Sequence, residues 1–304
     1  MTTTLNAKSP EDLLAAVPVV LGFAPEDSLV MLTFGGYEQF HARLDLPLTD
    51  EAIPECVDTL LRPATTYGVE AVVFVLYTAE DRLARQFAEA LIAGFERCEI
   101  EVFDCLRAHA GRWFAPAGRA GVPDEGVPYD ISGHEFRAAA VYDGRVTLAS
   151  RAEVAAQVAP DLELIAETET ALAQAMPLSL SGVVGLIARS LPRGRVGDAE
   201  DLASLLLALC EPERRGRAWS DLRRHHAEQQ VPLWADIVRR SPEQLVAHPA
   251  SILAFVAWLR GDGALAWCAV DRCLSADPDN QLGGMVAEIL TEAIPPSAWE
   301  TSLE

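Results

Sequence analysis

Three groups of side chains have the types and spacing to do chemistry. In Ala42-Arg43-Leu44-Asp45-Leu46-Pro47 charged and apolar residues alternate, so an extended backbone carries Arg43 and Asp45 on one face. Such a pair can orient an anionic or hydroxylated ligand, or simply close a strand end as an ion pair. Just upstream, the stretch VVLGFAPEDSLVML sets Asp27 and Ser28 in a polar knot between two apolar runs. Pro25 presets φ for a turn and Asp27 or Ser28 can bond nearby backbone amides, which makes a structural helix-to-strand turn. The functional alternative puts both residues at the same mouth as Arg43 and Asp45. In the second group, Arg107, His109, Arg112 and Trp113 surround a strand end, and a flexible loop then leads to Tyr129 and Asp130. Arginine forks suit carboxylates and phosphates, and loops held by a rigid sheet are where ligand groups tend to sit. The plainer alternative is that Trp113 packs under the loop while the arginines balance an acidic surface. Arg151, inside the capping-box pattern Ser150-Arg151-Ala152-Glu153, completes the candidate ligand-binding set.

The third group is a dense basic cluster, Arg214, Arg215, Arg217, Arg223, Arg224, His225 and His226, interleaved with Glu211, Glu213, Asp221 and Glu228. The acids largely neutralise it, so it reads as a solvated, salt-bridged helix surface, with an anion site as the alternative. Several stronger motifs are missing. There is no G-x-x-x-x-G-K, G-x-G-x-x-G, G-x-S-x-G or H-E-x-x-H; His134-Glu135 is a fragment lacking its second histidine. The run from Asp277 to Gly283, with Glu288 beyond, imitates a calcium loop, but Leu282 stands where the sharp turn needs glycine. No cofactor and no metal site is therefore expected.

The elements that must position these residues follow from periodicity. Ser9-Pro10-Glu11-Asp12 opens a helix; Ser28 to Phe34 and Phe40 to Leu46 form a hairpin about Gly35-Gly36. Val69 to Tyr77 is a continuous apolar run suited to a strand covered on both faces, followed by a helix from Ala79 to Phe95 and a strand from Glu99 to Leu106. Glycine and proline make Ala115 to Tyr129 a loop. After that only helices are expected: Leu162 to Met176, Ser181 to Leu191, Ala199 to Leu209, Arg214 to Gln229, Leu233 to Arg239, and the segments after Ser241. The fold class is an α/β half with a mixed sheet, residues 1–149, followed by an all-α half, residues 150–304. Within the latter, Pro249 to Leu290 reads as a tetratricopeptide-like helical hairpin turning at Gly261-Asp262-Gly263, with small Ala266 in its second helix and Asp277-Pro278 at its end. Trp258, Asp262, Trp267 and Arg272 are its candidate partner surface. The hairpin can equally be a cap or a local packing unit.

Half of the 304 residues are apolar, enough for a substantial core, and the formal net charge is -21. That charge repels nucleic-acid phosphates and anionic membrane surfaces, so no nucleic acid and no membrane is expected as partner. No apolar run reaches the ~18 residues of a membrane span. The N-terminus lacks a basic stretch followed by a long apolar core, and the cysteines, Cys56, Cys98, Cys105, Cys210, Cys268 and Cys273, include no C-x-x-C pair. A cytoplasmic setting with reduced thiols is the expectation.

The order of VLGFAPEDSLV, RLDLP, GRW, GVPYD, SRAEV, LWADIVRRSP and AWLRGDGALAWCAVDRCLSADP resembles an uncharacterised family common in high-GC Gram-positive bacteria, known only as a domain of unknown function. The resemblance covers nearly the whole chain. It implies an actinobacterial-type, cytoplasmic context and one shared architecture, with no reaction to carry over. Relatives in that family carry cysteines between the R-W and P-Y-D segments, whereas Ala115 to Pro128 holds neither cysteine nor histidine, which puts any shared metal site there in doubt. The functional expectation is a non-enzymatic binding or regulatory protein, using a polar cleft in the α/β half and a helical surface for a protein partner or a small-molecule ligand. The rival is an enzyme in which Asp45 acts as acid or base while Arg43, Arg112 and Tyr129 hold an anionic substrate. A purely structural oligomer component is the third reading.

Overall fold

The computed structural model describes residues 7–38, 40–47, 49–142, 146–220 and 222–301. The chain divides into two compact units, residues 1–151 and 152–304.

In the first unit the apolar run becomes β3 (Ala71–Tyr77), and Ala71 to Leu76 are buried on both faces. The other strands are β1 (Ser28–Phe34), β2 (His41–Asp45), β4 (Glu101–His109), β5 (Arg112–Phe114) and β6 (Val127–Pro128), in the sheet order β2-β1-β3-β4-β5-β6. Only β3 and β4 run parallel among the described pairs; the others are antiparallel. A strand buried on both faces needs cover on both. One cover is α2 (Ile53–Thr66) with α3 (Asp81–Glu96), packed on Leu29, Met31, Phe74 and Leu76. The other is α1 (Pro10–Leu21), packed on Val30, Val73, Val75 and Leu106. Behind α1 lies α4 (Glu135–Tyr142), joined to it through Ala15, Val19, Phe136 and Ala140.

Local chemistry explains the boundaries. The Ser9 hydroxyl accepts from the Asp12 amide, the Asp12 carboxylate accepts from the Ser9 amide, and Pro10 takes the first turn of α1. The β1–β2 turn requires Gly36: its φ is 89°, and a Cβ there would lie 2.7 Å from the Tyr67 carbonyl oxygen. Glu99 adopts a φ of 59°, so β4 starts at Glu101, two residues later than expected, and runs on to His109. The sequence reading leaves Asp50 to Thr66 unassigned, yet Ile53, Val57, Leu60 and Ala64 recur at helical spacing and bury one face of α2. The loop from Ala115 to Tyr129 contains the two residues of β6.

The division falls one residue into α5 (Arg151–Ala156), and the second unit continues through α6 (Leu162–Leu172), α7 (Leu180–Ser190), α8 (Ala199–Leu209), α9 (Pro212–Trp219), α10 (Ala227–Arg240), α11 (Ala247–Arg260), α12 (Gly263–Ala276), α13 (Gln281–Thr291) and α14 (Ser297–Thr301). The expected helix from Arg214 to Gln229 is two helices: Arg223 is extended, with φ -128° and ψ 157°, and Asp221 lies outside the described residues. Pro232 does not divide the next helix: it stands inside α10 and costs that helix one intrahelical donor without ending it. The helical hairpin is α11 and α12. Gly261 ends α11 with φ 84°, and the Asp262 carboxylate caps α12 by accepting from the Leu265 amide at 2.9 Å. Among the described residues, no helix is long and apolar enough to cross a membrane.

One half-buried base links this fold to pH. His41 Nδ1 accepts from the Thr33 amide at 3.2 Å, and burial lowers its pKa from 6.5 to about 4. The folded state keeps this imidazole neutral, so its contribution is full above pH 6.5 and is lost as the pH falls toward 4, by up to about 3 kcal/mol. In urea titrations across that window, His41→Gln is expected to show a shallower loss of stability than the wild-type chain; equal slopes would contradict the assignment.

Candidate functional site

In sheets with parallel strands, ligands collect beyond the carboxyl ends of those strands, where neighbouring connections diverge. Here that edge holds the ends of β3 and β4, the start of β1 and the end of β2. The register aligns Asp45, Ser28, Tyr77, Ala108, Trp113 and Val127 in one row across all six strands, on the α1 face. Most of the sequence-derived candidates therefore share one edge, yet they do different things there.

Ser28 and Arg43 form a closed lock. The Ser28 hydroxyl donates to the Glu26 carbonyl and accepts from Arg43 Nε at 2.9 Å and Nη2 at 2.7 Å. Arg43 Nη2 also meets Asp45 Oδ1 at 2.5 Å, and the Leu46 amide donates to the Asp27 carbonyl. A hydroxyl so saturated has no lone pair or proton left for a substrate. Asp27 adopts a φ of 43°, which turns the chain into β1. The knot is thus a turn clamped to β2, and Asp45, with a side chain 68% exposed, is the outer member of a strand-end ion pair.

Arg107 presents the opposite situation. It alternates with Leu106 and Ala108, so it lies on the α3 face of β4, and it is only 6% exposed. Its guanidinium carbon stands 3.6 Å from the centroid of the Phe114 ring, a cation–π contact. Its other contacts are long: Nη1 to the Thr78 carbonyl at 3.4 Å and Nη2 to Asp81 Oδ1 at 3.4 Å, while Nε is buried with no partner among the described residues. Desolvation lowers its pKa, partly opposed by Asp81. Asp81 is shared, since its other oxygen accepts from Arg85 Nε at 2.7 Å. His109 and Arg112 face one another in the register on the same side of the sheet as Arg107. Arg112 is committed to the loop, donating to the Glu125 carbonyl at 2.6 Å and the Gly126 carbonyl at 2.8 Å, and so holds Phe114 and Gly126 beneath Arg107's ring contact.

The remaining candidates separate. Trp113 is buried in the α1-face core, and Tyr129 packs against the same cluster. Burial raises the pKa of both Tyr77 and Tyr129, and the two rings lie close enough to interact. Asp130 accepts from the Ser132 amide at 2.8 Å, an Asx turn. Arg151 is the first residue of α5. The strands β2 and β5 are four spacings apart, roughly 19 Å along the sheet, so Asp45 and Arg112 do not share a small ligand. In the helical unit Trp258 is 5% exposed, donates from its indole to the Ile294 carbonyl at 2.8 Å and packs on Phe255, so it serves the interior. Asp262 caps α12 and pairs with Arg260, Arg272 pairs with Glu243 at 2.7 Å, and Trp267 is half-buried. Among the described residues, no group of His, Cys, Asp and Glu is gathered to hold a metal ion.

A model of the family described as a domain of unknown function, DUF4192, matches residues 10–297. The chain belongs to that family. No curated protein and no solved structure matches it. In this DUF4192 chain the residue that stands out by geometry is Arg107, named in the sequence as part of a basic group but indistinguishable there from His109 or Arg112. Tyr77, Thr78 and Asp81 carried no signal beyond their place after an apolar strand.

The lock and the arginine corner respond differently to mutation. Ser28→Ala removes the acceptor of two arginine N–H groups and is expected to lower the free energy of unfolding by about 1–3 kcal/mol in urea titrations. A variant as stable as wild type that had lost ligand binding would make Ser28 a ligand contact instead.

Proposed function

We propose that the chain is a binding protein whose α/β unit takes a small anionic ligand, a carboxylate or phosphate, beyond the carboxyl ends of β3 and β4, with Arg107 as the gripping residue. The observation that carries this reading is a guanidinium almost wholly removed from water whose acceptors among the described residues lie at 3.4 Å, with none of them at Nε. A buried charge so loosely paired is costly, and an oxyanion with two acceptor atoms in one plane would match the fork it leaves open. Arg85 and Arg112 lie around the same corner, with Asp81 shared between Arg85 and Arg107. A protein that holds a ligand without transforming it agrees with the absence of nucleophile and acid–base motifs from the sequence. The free cysteines fit a reducing, cytoplasmic compartment.

Thermal unfolding in the presence of inorganic phosphate, citrate and a panel of phosphorylated metabolites tests this. Kosmotropic anions stabilise any protein by exclusion, so the informative quantity is the difference between wild type and Arg107→Gln. A ligand at a hundred times its Kd stabilises by about 2.7 kcal/mol, a shift of several degrees in Tm. Wild type is expected to show that shift with at least one anion beyond the non-specific stabilisation, Arg107→Lys a reduced excess and Arg107→Gln only the non-specific part. Equal responses of all three proteins to every anion would contradict the proposal.

A further inference from the structure

The helical unit contains a cleft of about 710 Å³ between α6, the segment leading into α8, and α10, a volume in the range of small-molecule sites. The sequence reading singled out none of its residues as a ligand group. Its floor is Arg240, 6% exposed, whose Nη1 donates to the Val196 carbonyl at 2.9 Å and to Asp236 Oδ2 at 3.1 Å, while the same carboxylate oxygen accepts from the Val196 amide at 3.2 Å. This chelation fixes the peptide of Val196 and orients the arginine. It leaves Arg240 Nε buried without an acceptor among the described residues. A buried N–H with no partner is destabilising, and an oxygen delivered through the cleft would satisfy it after a small rotation of the side chain.

The rim adds charge of both signs. Arg195 is exposed on the cleft and forms no ion pair among the described residues. Glu167 on α6 and Glu200 on α8 line the same space, are exposed, and likewise have no cationic partner among the described residues. Leu164 adds an apolar wall. Asp236 is committed to Arg240, and Asp198 accepts from the Asp201 amide as the cap of α8 while adding a further negative charge to the rim; the Arg195 guanidinium, the Arg240 Nε–H and the carboxylates of Glu167 and Glu200 are left to meet a ligand.

We infer that this cleft binds a small zwitterion, an α-amino acid or a short peptide, with its carboxylate toward Arg195 and Arg240 and its ammonium toward Glu167 and Glu200. An anion alone would face the carboxylates of Glu167, Asp198 and Glu200, and a cation alone would leave Arg195 without a counter-charge and Arg240 Nε without an acceptor. A molecule carrying both charges satisfies both sets at once, and the wall takes its side chain. The site lies wholly within the helical unit and uses no residue of the arginine corner in the α/β unit.

The test is calorimetric titration of the full chain with the free L-amino acids and a set of di- and tripeptides, each compared with its N-acetylated and C-amidated form. Binding is expected for at least one zwitterion, weakened tenfold or more by either blocking group. Arg195→Gln, an exposed substitution that leaves the Val196 chelation intact, is expected to weaken binding of the free form at least tenfold. Glu167→Gln should weaken the free form but not the N-acetylated form, and Arg107→Gln should change nothing here. Binding that survives N-acetylation would overturn the inference in favour of a plain anion site. Binding unaffected by Arg195→Gln and Glu167→Gln, or no heat with any zwitterion, would overturn it as well.

Discussion

The α/β unit is organised by a single constraint: β3 is removed from water on both faces. Its backbone groups are paired on each side, with β1 and with β4, and its side chains are apolar almost to the end. Helices must then cover the sheet above and below, and no charged group can be placed along the middle of the strand without a large desolvation cost. Polar chemistry is displaced to the strand ends. At the carboxyl end the chain leaves β3 for α3, β4 turns at Ala110-Gly111 into β5, and β1 enters from the clamped turn, so three connections and their polar groups converge there.

Two arginines at this edge illustrate how the same group can be structural or available. Arg43 lies on the α1 face of β2 and reaches Ser28 with two nitrogens and Asp45 with one, all at short range. Its Nε and Nη2 edge is occupied, and its work is to fasten the α1–β1 turn to the sheet. Arg107 lies on the other face, is more deeply buried than its pairing justifies, and divides Asp81 with Arg85. The Phe114 ring supports its charge but supplies no acceptor. A structural arginine could have been given a closer carboxylate, and this loose pairing is what the proposed anion site rests on. Arg240 repeats the pattern in the helical unit, with one nitrogen fixed by backbone and carboxylate and Nε unpaired.

What was legible in the sequence follows from the same physics. β3 was legible because burial on both faces writes an unbroken apolar run, and the α11–α12 turn because Gly261 and Asp262 supply a left-handed stop and a cap. Helix α2 was not read, since Pro54 and Pro63 and its threonines mask a regular buried stripe. The break between α9 and α10 was misplaced because Pro232 is the louder local signal, while the actual interruption is at an extended Arg223. The polar lock was half legible: alternation put Arg43 and Asp45 on one face, but only register shows that Ser28 lies opposite Asp45. The depth of Arg107 and the orphaned nitrogens of both buried arginines depend on neighbours brought in from other elements, and no local pattern records them.

The central claim is that Arg107 is a buried cation awaiting an oxyanion, and its own Nε–H reports on that directly. The measurement is the 1H–15N resonance of Arg107 Nε, assigned by comparison with Arg107→Lys, followed during titration with inorganic phosphate and with citrate. The account predicts a saturable downfield proton shift and slower hydrogen exchange at this one guanidinium, as expected when an unpaired donor gains a charged acceptor. A resonance that stays in place while those of the exposed arginines drift with ionic strength would contradict it.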